Sequence, residues 1–219
     1  MSLFEGRDLV CVRGERRVFE GLSFSVAAGG LLVLTGPNGS GKSSLLRLMA
    51  GLLRPAAGAL LWDGTPVADD PDAQAARLQY LGHLDAVKPV LSAAENLTFW
   101  AGLHGGGAAE VARALDGFDL GALAEVPGRM LSAGQKRRVA LARLLAAPAE
   151  VWLLDEPTVG LDAASLERLS DAIADQRARG GRVVAATHAA LEAPGAEVLA
   201  LDDYAVAPEL AHAAWGAGW

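Results

Sequence analysis

Residues Gly36–Ser43 read Gly-Pro-Asn-Gly-Ser-Gly-Lys-Ser. They fit the pattern G-x-x-x-x-G-K-[ST] at every defined position, and that pattern dictates a tight, donor-rich loop between a strand and a helix. Triphosphate oxygens need many N–H donors converging on a small space. Gly36, Gly39 and Gly41 leave those backbone groups unobstructed. Lys42 has the reach for β- and γ-phosphates, and the Ser43 hydroxyl can take one coordination position on Mg²⁺. The flanks agree with this reading. Gly30-Leu-Leu-Val-Leu-Thr35 is an apolar run of strand length, and Ser44–Leu53 is Leu-rich with helical spacing. A helix N-terminus then faces the phosphates. The expected nucleotide cradle is Gly36, Pro37, Asn38, Gly39, Ser40, Gly41, Lys42, Ser43 and Ser44, with ATP and Mg²⁺ as ligands.

A chain of 219 residues that is 52% hydrophobic can bury a real core. Its apolar runs fall far short of the roughly 20 residues a membrane helix needs. Glu5, Arg7 and Asp8 break up the opening residues, so no apolar leader is expected. The single cysteine, Cys11, excludes an internal disulfide and a thiolate metal cluster, and a reducing cytoplasm is the simplest setting. The net charge of −7 argues against broad nucleic-acid binding.

Along the chain, residues 2–27 read as two or three short strands with a turn at Arg13-Gly14-Glu15-Arg16. Leu22, Phe24 and Val26 alternate with serines, the period of a half-buried antiparallel strand. Pro55 and Gly58 break the helix that follows the phosphate loop, and Ala59–Trp62 returns as a strand into an Asp63-Gly64 turn. Leu78–Leu81 is a further short strand. Apolar positions then recur at helical spacing through Ala93–Leu103, Ala109–Phe118 and Gln135–Leu145, with a flexible joint at Gly105–Gly107. Strand Val151–Leu154, helix Ala164–Arg179 and strands Arg182–Ala186 and Val198–Leu201 follow. Strands alternating with helices predict a mostly parallel sheet. The expected organisation is one domain: residues 1–91 and 148–203 as an α/β core with an N-terminal antiparallel β subdomain, 92–147 as an inserted helical subdomain, and 204–219 as a tail without an assigned role.

Two further stretches carry chemistry. Val151-Trp-Leu-Leu-Asp155-Glu156 is an apolar strand that ends in two acids, and carboxylates there point into the crevice where α/β sheets bind ligands. Asp155 would hold Mg²⁺, and Glu156 would act as general base on the attacking water. Alone, the pair is equally a turn before Pro157. Leu131-Ser-Ala-Gly-Gln135 has the capping-box spacing, with Ser132 as N-cap and Gln135 at the third helical position. A capped helix start beside Gly134 is an ordinary helix cap or an anion site.

The order of Gly36–Ser43, Leu131–Gln135, Leu153–Glu156, Gly160-Leu-Asp162 and Thr187-His188 resembles the ATP-binding subunits of ABC transporters, over roughly residues 3–202. The resemblance implies a P-loop NTPase core of the ABC ATPase type and a head-to-tail homodimer. In that dimer Ser132, Ala133, Gly134 and Gln135 of one copy meet the γ-phosphate held by Lys42 of the other. It also implies that His188 touches the γ-phosphate, making Glu156, His188 and Lys42 the catalytic set, and that Asp162 lies at the dimer seam. Read locally, His188 is equally a structural histidine and Asp162 a helix N-cap. Where the family stacks an aromatic on adenine this chain has Arg13, whose guanidinium plane can stack or stay solvated. Where the family has a glutamine near the Mg²⁺ water this chain has His83, so the implied metal set is Ser43, Asp155 and His83. Ala133 stands where the family most often has glycine.

Gly82-His83-Leu-Asp-Ala-Val-Lys88-Pro89, Glu95-Asn96-Leu97 and Leu131–Arg138 are similar to one branch of that family, the ATP-binding subunit of the haem exporter used in bacterial cytochrome c maturation. The branch implies integral-membrane partner subunits and a peripheral position on the cytoplasmic face of the inner membrane. Direct haem binding is not expected: no Cys-x-x-Cys-His run is present, and His83, His104, His188 and His212 are scattered. Two alternatives stand beside this reading. A soluble ABC-type ATPase acting on ribosomes or DNA usually joins two cassettes, whereas this chain has one phosphate loop. A small-molecule kinase would have no need of Leu131–Gln135.

Overall fold

The computed structural model describes residues 2–187 and 194–206. The chain opens with two long antiparallel strands, β1 (Leu3–Arg13) and β2 (Arg16–Ala27). Sequence patterning suggested two or three short ones. β-Bulges in the pairing between Gly6 and Val12 bend the ribbon without ending it. Then come β3 (Leu31–Thr35), α1 (Lys42–Met49), β4 (Ala57–Trp62) and β5 (Thr65–Pro66). β4 starts two residues earlier than the breaker residues suggested. Gly58 is part of the strand rather than its boundary: φ is +80° there, and a Cβ would strike the Arg7 and Asp8 carbonyls of β1.

Helix α2 (Pro71–Arg77), which the sequence reading did not contain, follows with Asp70 as its N-cap and Pro71 at its first position. β6 (Leu78–Leu81) leads to three helices, α3 (Ala93–Leu103), α4 (Ala108–Gly117) and α5 (Ala133–Ala146), which pack on one another. β7 (Val151–Asp155), α6 (Ala163–Ala178), β8 (Arg182–Ala186) and β9 (Ala196–Ala200) close the described fold. β9 lies two residues N-terminal of the expected Val198 start, because Leu201 is buried in a 3₁₀ turn rather than in the strand.

Two sheets result. β2-β1-β4-β5 is antiparallel; β6-β7-β8-β3-β9 is parallel throughout. The parallel sheet explains its own sequence: covered on both faces, its central strands read as unbroken apolar runs. Successive residues divide between two cores. Leu31, Val33, Trp152, Leu154, Val183 and Ala185 face the helices α3–α6. Leu32, Leu34, Val151, Leu153, Val184 and Ala186 face α1 and the antiparallel sheet. The alternation is the two-residue period of a pleated strand. Arg182 sits between the sheets, 2% exposed. Its guanidinium donates to the carbonyls of Val26 and Ser2 and lies 4.7 Å from the Trp62 ring, so a buried cation is paired with carbonyls and an aromatic face. This packing brings the C-terminal ends of β3, β7 and β8 together, with the 36–43 loop after β3.

Candidate active site

The phosphate loop takes its shape from positive backbone angles at Gly36, Gly39 and Gly41, with φ of 132°, 83° and 107°. At Gly41 glycine has a second reason. A Cβ would lie 2.7 Å from Val18 Cγ1 and 2.9 Å from Phe19 Cδ1, so the start of α1 is pressed against β2. The sequence reading assigned these glycines to ligand approach alone; at Gly41 packing against the antiparallel sheet is an added demand. Lys42 is 8% exposed and its ammonium donates to the carbonyls of Gly36 (2.7 Å) and Pro37 (3.2 Å), which folds the loop around the lysine.

The acid-tipped strand meets the loop directly. Ser43 Oγ donates to Asp155 Oδ1 at 2.9 Å, across 112 residues of chain. These are two hard oxygen donors at one point beside the cradle, a donor set that fits Mg²⁺. Asp155 is 3% exposed, and its other oxygen accepts from the Tyr80 hydroxyl at 3.4 Å. Burial, and then the adjacent Asp155 carboxylate, push the Tyr80 phenol above its usual range, which keeps it a proton donor to Asp155. Tyr80 was invisible to sequence reasoning. It sits on β6, paired with Leu153 of β7, and only that register brings it to Asp155.

Glu156 follows in left-handed backbone, φ +48°, uncommon for a residue with a side chain. Hydrogen bonds grip this peptide from both sides. Its N–H donates to Ala186 O (2.8 Å), and its carbonyl accepts from Arg137 Nη2 (2.6 Å). The next strand end is tied in too: Thr158 and Thr187 hydroxyls lie 3.4 Å apart, and Thr187 is buried. His188, the residue after Thr187, lies outside the described residues.

Ser132 is the N-cap of α5. Its hydroxyl accepts from Gln135 N–H, and Gln135 Oε1 accepts from the Ser132 N–H at 2.8 Å. Ser132, Ala133 and Gly134 are exposed. His83 is exposed as well, and lines a hollow of about 190 Å³ with Asp85, Ala133, Gly134, Arg137, Val159 and Gly160. The structure therefore groups His83 with the start of α5 in the same chain. Asp162 caps α6 by accepting from Ser165 N–H (2.8 Å), and that bond holds its carboxyl below the usual range. Arg13 sits exposed at the β1–β2 turn. Its charge is felt by the Cys11 thiol, which bonds to the Ser44 hydroxyl just beyond the loop, so the turn neighbours the cradle.

Residues 19–159 match the family model described as ABC transporter. The chain is 62% identical over 213 residues to the cytochrome c biogenesis ATP-binding export protein CcmA of Paramagnetospirillum magneticum, covering 95% of this chain and 98% of that protein. It superposes on a putative ABC transporter ATP-binding protein from Pyrococcus furiosus with a TM-score of 0.81 and 27% identity, over 93% of this chain and all of that one. The ATP-binding cassette MJ0796, solved as a dimer in a post-hydrolysis state with ADP and Pi, aligns over 85% of this chain and 88% of its own at 25% identity and a TM-score of 0.75. Among the described residues no helix is long and apolar enough to cross a membrane.

Proposed function

The chain belongs to the ABC transporter family, and on that premise we propose that it is the ATP-hydrolysing subunit of a transporter that serves c-type cytochrome biogenesis. The observation that carries the hydrolytic part is the 2.9 Å contact between Ser43 Oγ and Asp155 Oδ1, with Glu156 the next residue in chain. One end of that contact belongs to the phosphate cradle and the other to the strand that presents the base.

Lys42 binds the β- and γ-phosphates with the loop amides, as a point charge among oriented N–H groups. Ser43 and Asp155 hold Mg²⁺, whose chemistry when bound is to neutralise charge on the β- and γ-phosphate oxygens. Tyr80 orients Asp155 through its hydroxyl. Glu156 takes a proton from the attacking water, His188 contacts the γ-phosphate, and His83 serves the place beside the Mg²⁺ water. Arg13 lies against the base.

The exposed Ser132–Gly134 segment supports a second copy of the chain as the group that completes each site: capped helix starts attract anions, and this one faces solvent in a single copy. The P. magneticum relative's name as an export protein supports a membrane partner, and we assign the cargo to the haem-delivery step at the cytoplasmic face of the inner membrane. The chain docks peripherally on integral-membrane subunits, since no described helix spans a bilayer. Haem is handled by those partners, not by this chain.

The two-copy site has a direct test. Ser132→Arg puts bulk and positive charge where the other copy's nucleotide must fit. It is expected to abolish ATP-dependent dimerisation in gel filtration and to reduce hydrolysis at least ~100-fold, the scale of a misplaced catalytic element, while each monomer still binds nucleotide. Normal hydrolysis by Ser132→Arg protein at a dilution where it is monomeric would overturn the two-copy site.

A further inference from the structure

Helix α5 does more than present Ser132 at its start. One turn in, Arg137 turns inward and is 7% exposed. Its guanidinium forks. Nη1 donates to Asp85 Oδ1 at 3.0 Å, and Nη2 donates to the Glu156 carbonyl at 2.6 Å. Asp85 belongs to the segment after β6 that carries His83. The fork therefore joins three pieces distant in sequence: the His83 segment, the start of α5 and the peptide of Glu156. Further along the same helix Arg143 donates to the Tyr80 and Asp85 carbonyls, so both ends of residues 80–85 are tied to α5.

From this geometry we infer that Arg137 is a positioning residue for Glu156, and that through Asp85 it makes the position of the base depend on where the His83 segment sits. This rests on the reading of Glu156 as general base. The physical reason is the backbone. Glu156 is held at φ +48°, a conformation that persists in a side-chain-bearing residue only when its surroundings over-determine it. The Ala186 carbonyl fixes one side of that peptide and the Arg137 fork fixes the other. Without the fork the peptide has one fixed side and can relax toward negative φ, which swings the carboxylate away from the water it must deprotonate. The second arm ties that grip to Asp85. A shift of the His83 segment pulls on the same planar group that holds Glu156, and guanidinium rigidity transmits the pull where a lysine would not.

The test uses the full chain and separates kcat from nucleotide affinity. Arg137→Lys offers one point charge that reaches one acceptor but not both. Asp85→Asn removes the charge partner with little change of shape and keeps the proposal testable if a buried arginine variant does not fold. Arg137→Lys is expected to lower kcat by ~10–100-fold, the cost of a base displaced by about an ångström, with the Kd for ATP in Mg²⁺ buffer unchanged within about twofold. Asp85→Asn is expected to lower kcat by several-fold on the same terms. The double variant should lose little more than Arg137→Lys alone, because both act through one fork. If folded Asp85→Asn and Arg137→Lys proteins keep kcat within about twofold, or lose ATP affinity in step with kcat, the inference is overturned. Glu156→Gln run in parallel distinguishes the failures: if that variant hydrolyses ATP normally, the assignment of the base falls and takes the fork's role with it, whereas an inactive Glu156→Gln beside unaffected fork variants sinks the fork alone.

Discussion

Glu156→Gln is expected to bind ATP as the parent chain does and to hydrolyse it ~10²–10⁴-fold more slowly, the usual contribution of a positioned general base. The substitution isolates the chemistry. Glutamine has the same shape, and the bonds that fix this peptide, to Ala186 O and from Arg137, involve only the main chain. What is lost is a carboxylate able to take a proton. With binding intact and hydrolysis stalled, the ATP-bound pair of chains should persist long enough to elute as a dimer. Turnover within a fewfold of the parent would remove Glu156 from the role and leave the site with binding but no base.

Lys42→Ala is expected to fail one step earlier. The ammonium is nearly buried and ties the loop together through the Gly36 and Pro37 carbonyls. Hydrogen bonds from a charged donor are worth about 1.5–3 kcal/mol each. Losing the cation at the phosphates and leaving the loop carbonyls without their donor should therefore weaken ATP binding by at least ~10–100-fold, measured by equilibrium titration with a fluorescent ATP analogue. Hydrolysis should fall below detection. The fold should survive, because the loop's shape also rests on its glycines and on Gly41 against Phe19. Parent-like affinity in Lys42→Ala protein would show that the phosphates sit elsewhere.

The contrast between these two residues and Arg137 explains what the sequence could and could not disclose. Lys42 and Ser43 are legible because the loop is a local object: eight consecutive residues specify its angles, its donors and its cation. Asp155 and Glu156 are legible because an apolar strand announces where its C-terminal end lies. The parallel sheet, too, was written in runs such as Leu31–Leu34 and Val151–Leu154. Tyr80, Asp85 and Arg137 carried no such signal. Tyr80 reaches Asp155 across 75 residues, and Arg137 reaches Asp85 across 52. Those distances close only through strand register and helix packing, which no short window encodes. Helix α2 was missed for a different reason. Seven residues are too few to show a helical period, although Asp70 and Pro71 do form a cap and a first turn. Asn96 shows the same limit: it sat in a legible motif, yet its buried amide serves the turn around Lys88 and Leu91 rather than the nucleotide.

The central claim joins hydrolysis at Lys42, Ser43, Asp155 and Glu156 to export in the service of c-type cytochromes. It is tested most directly in cells whose only copy of this chain carries Lys42→Ala, by measuring covalently bound haem in c-type cytochromes beside total apocytochrome and b-type haem. The account predicts that apocytochrome c is made but haem attachment is lost, with b-type cytochromes at their normal level. Normal haem attachment in those cells would contradict it.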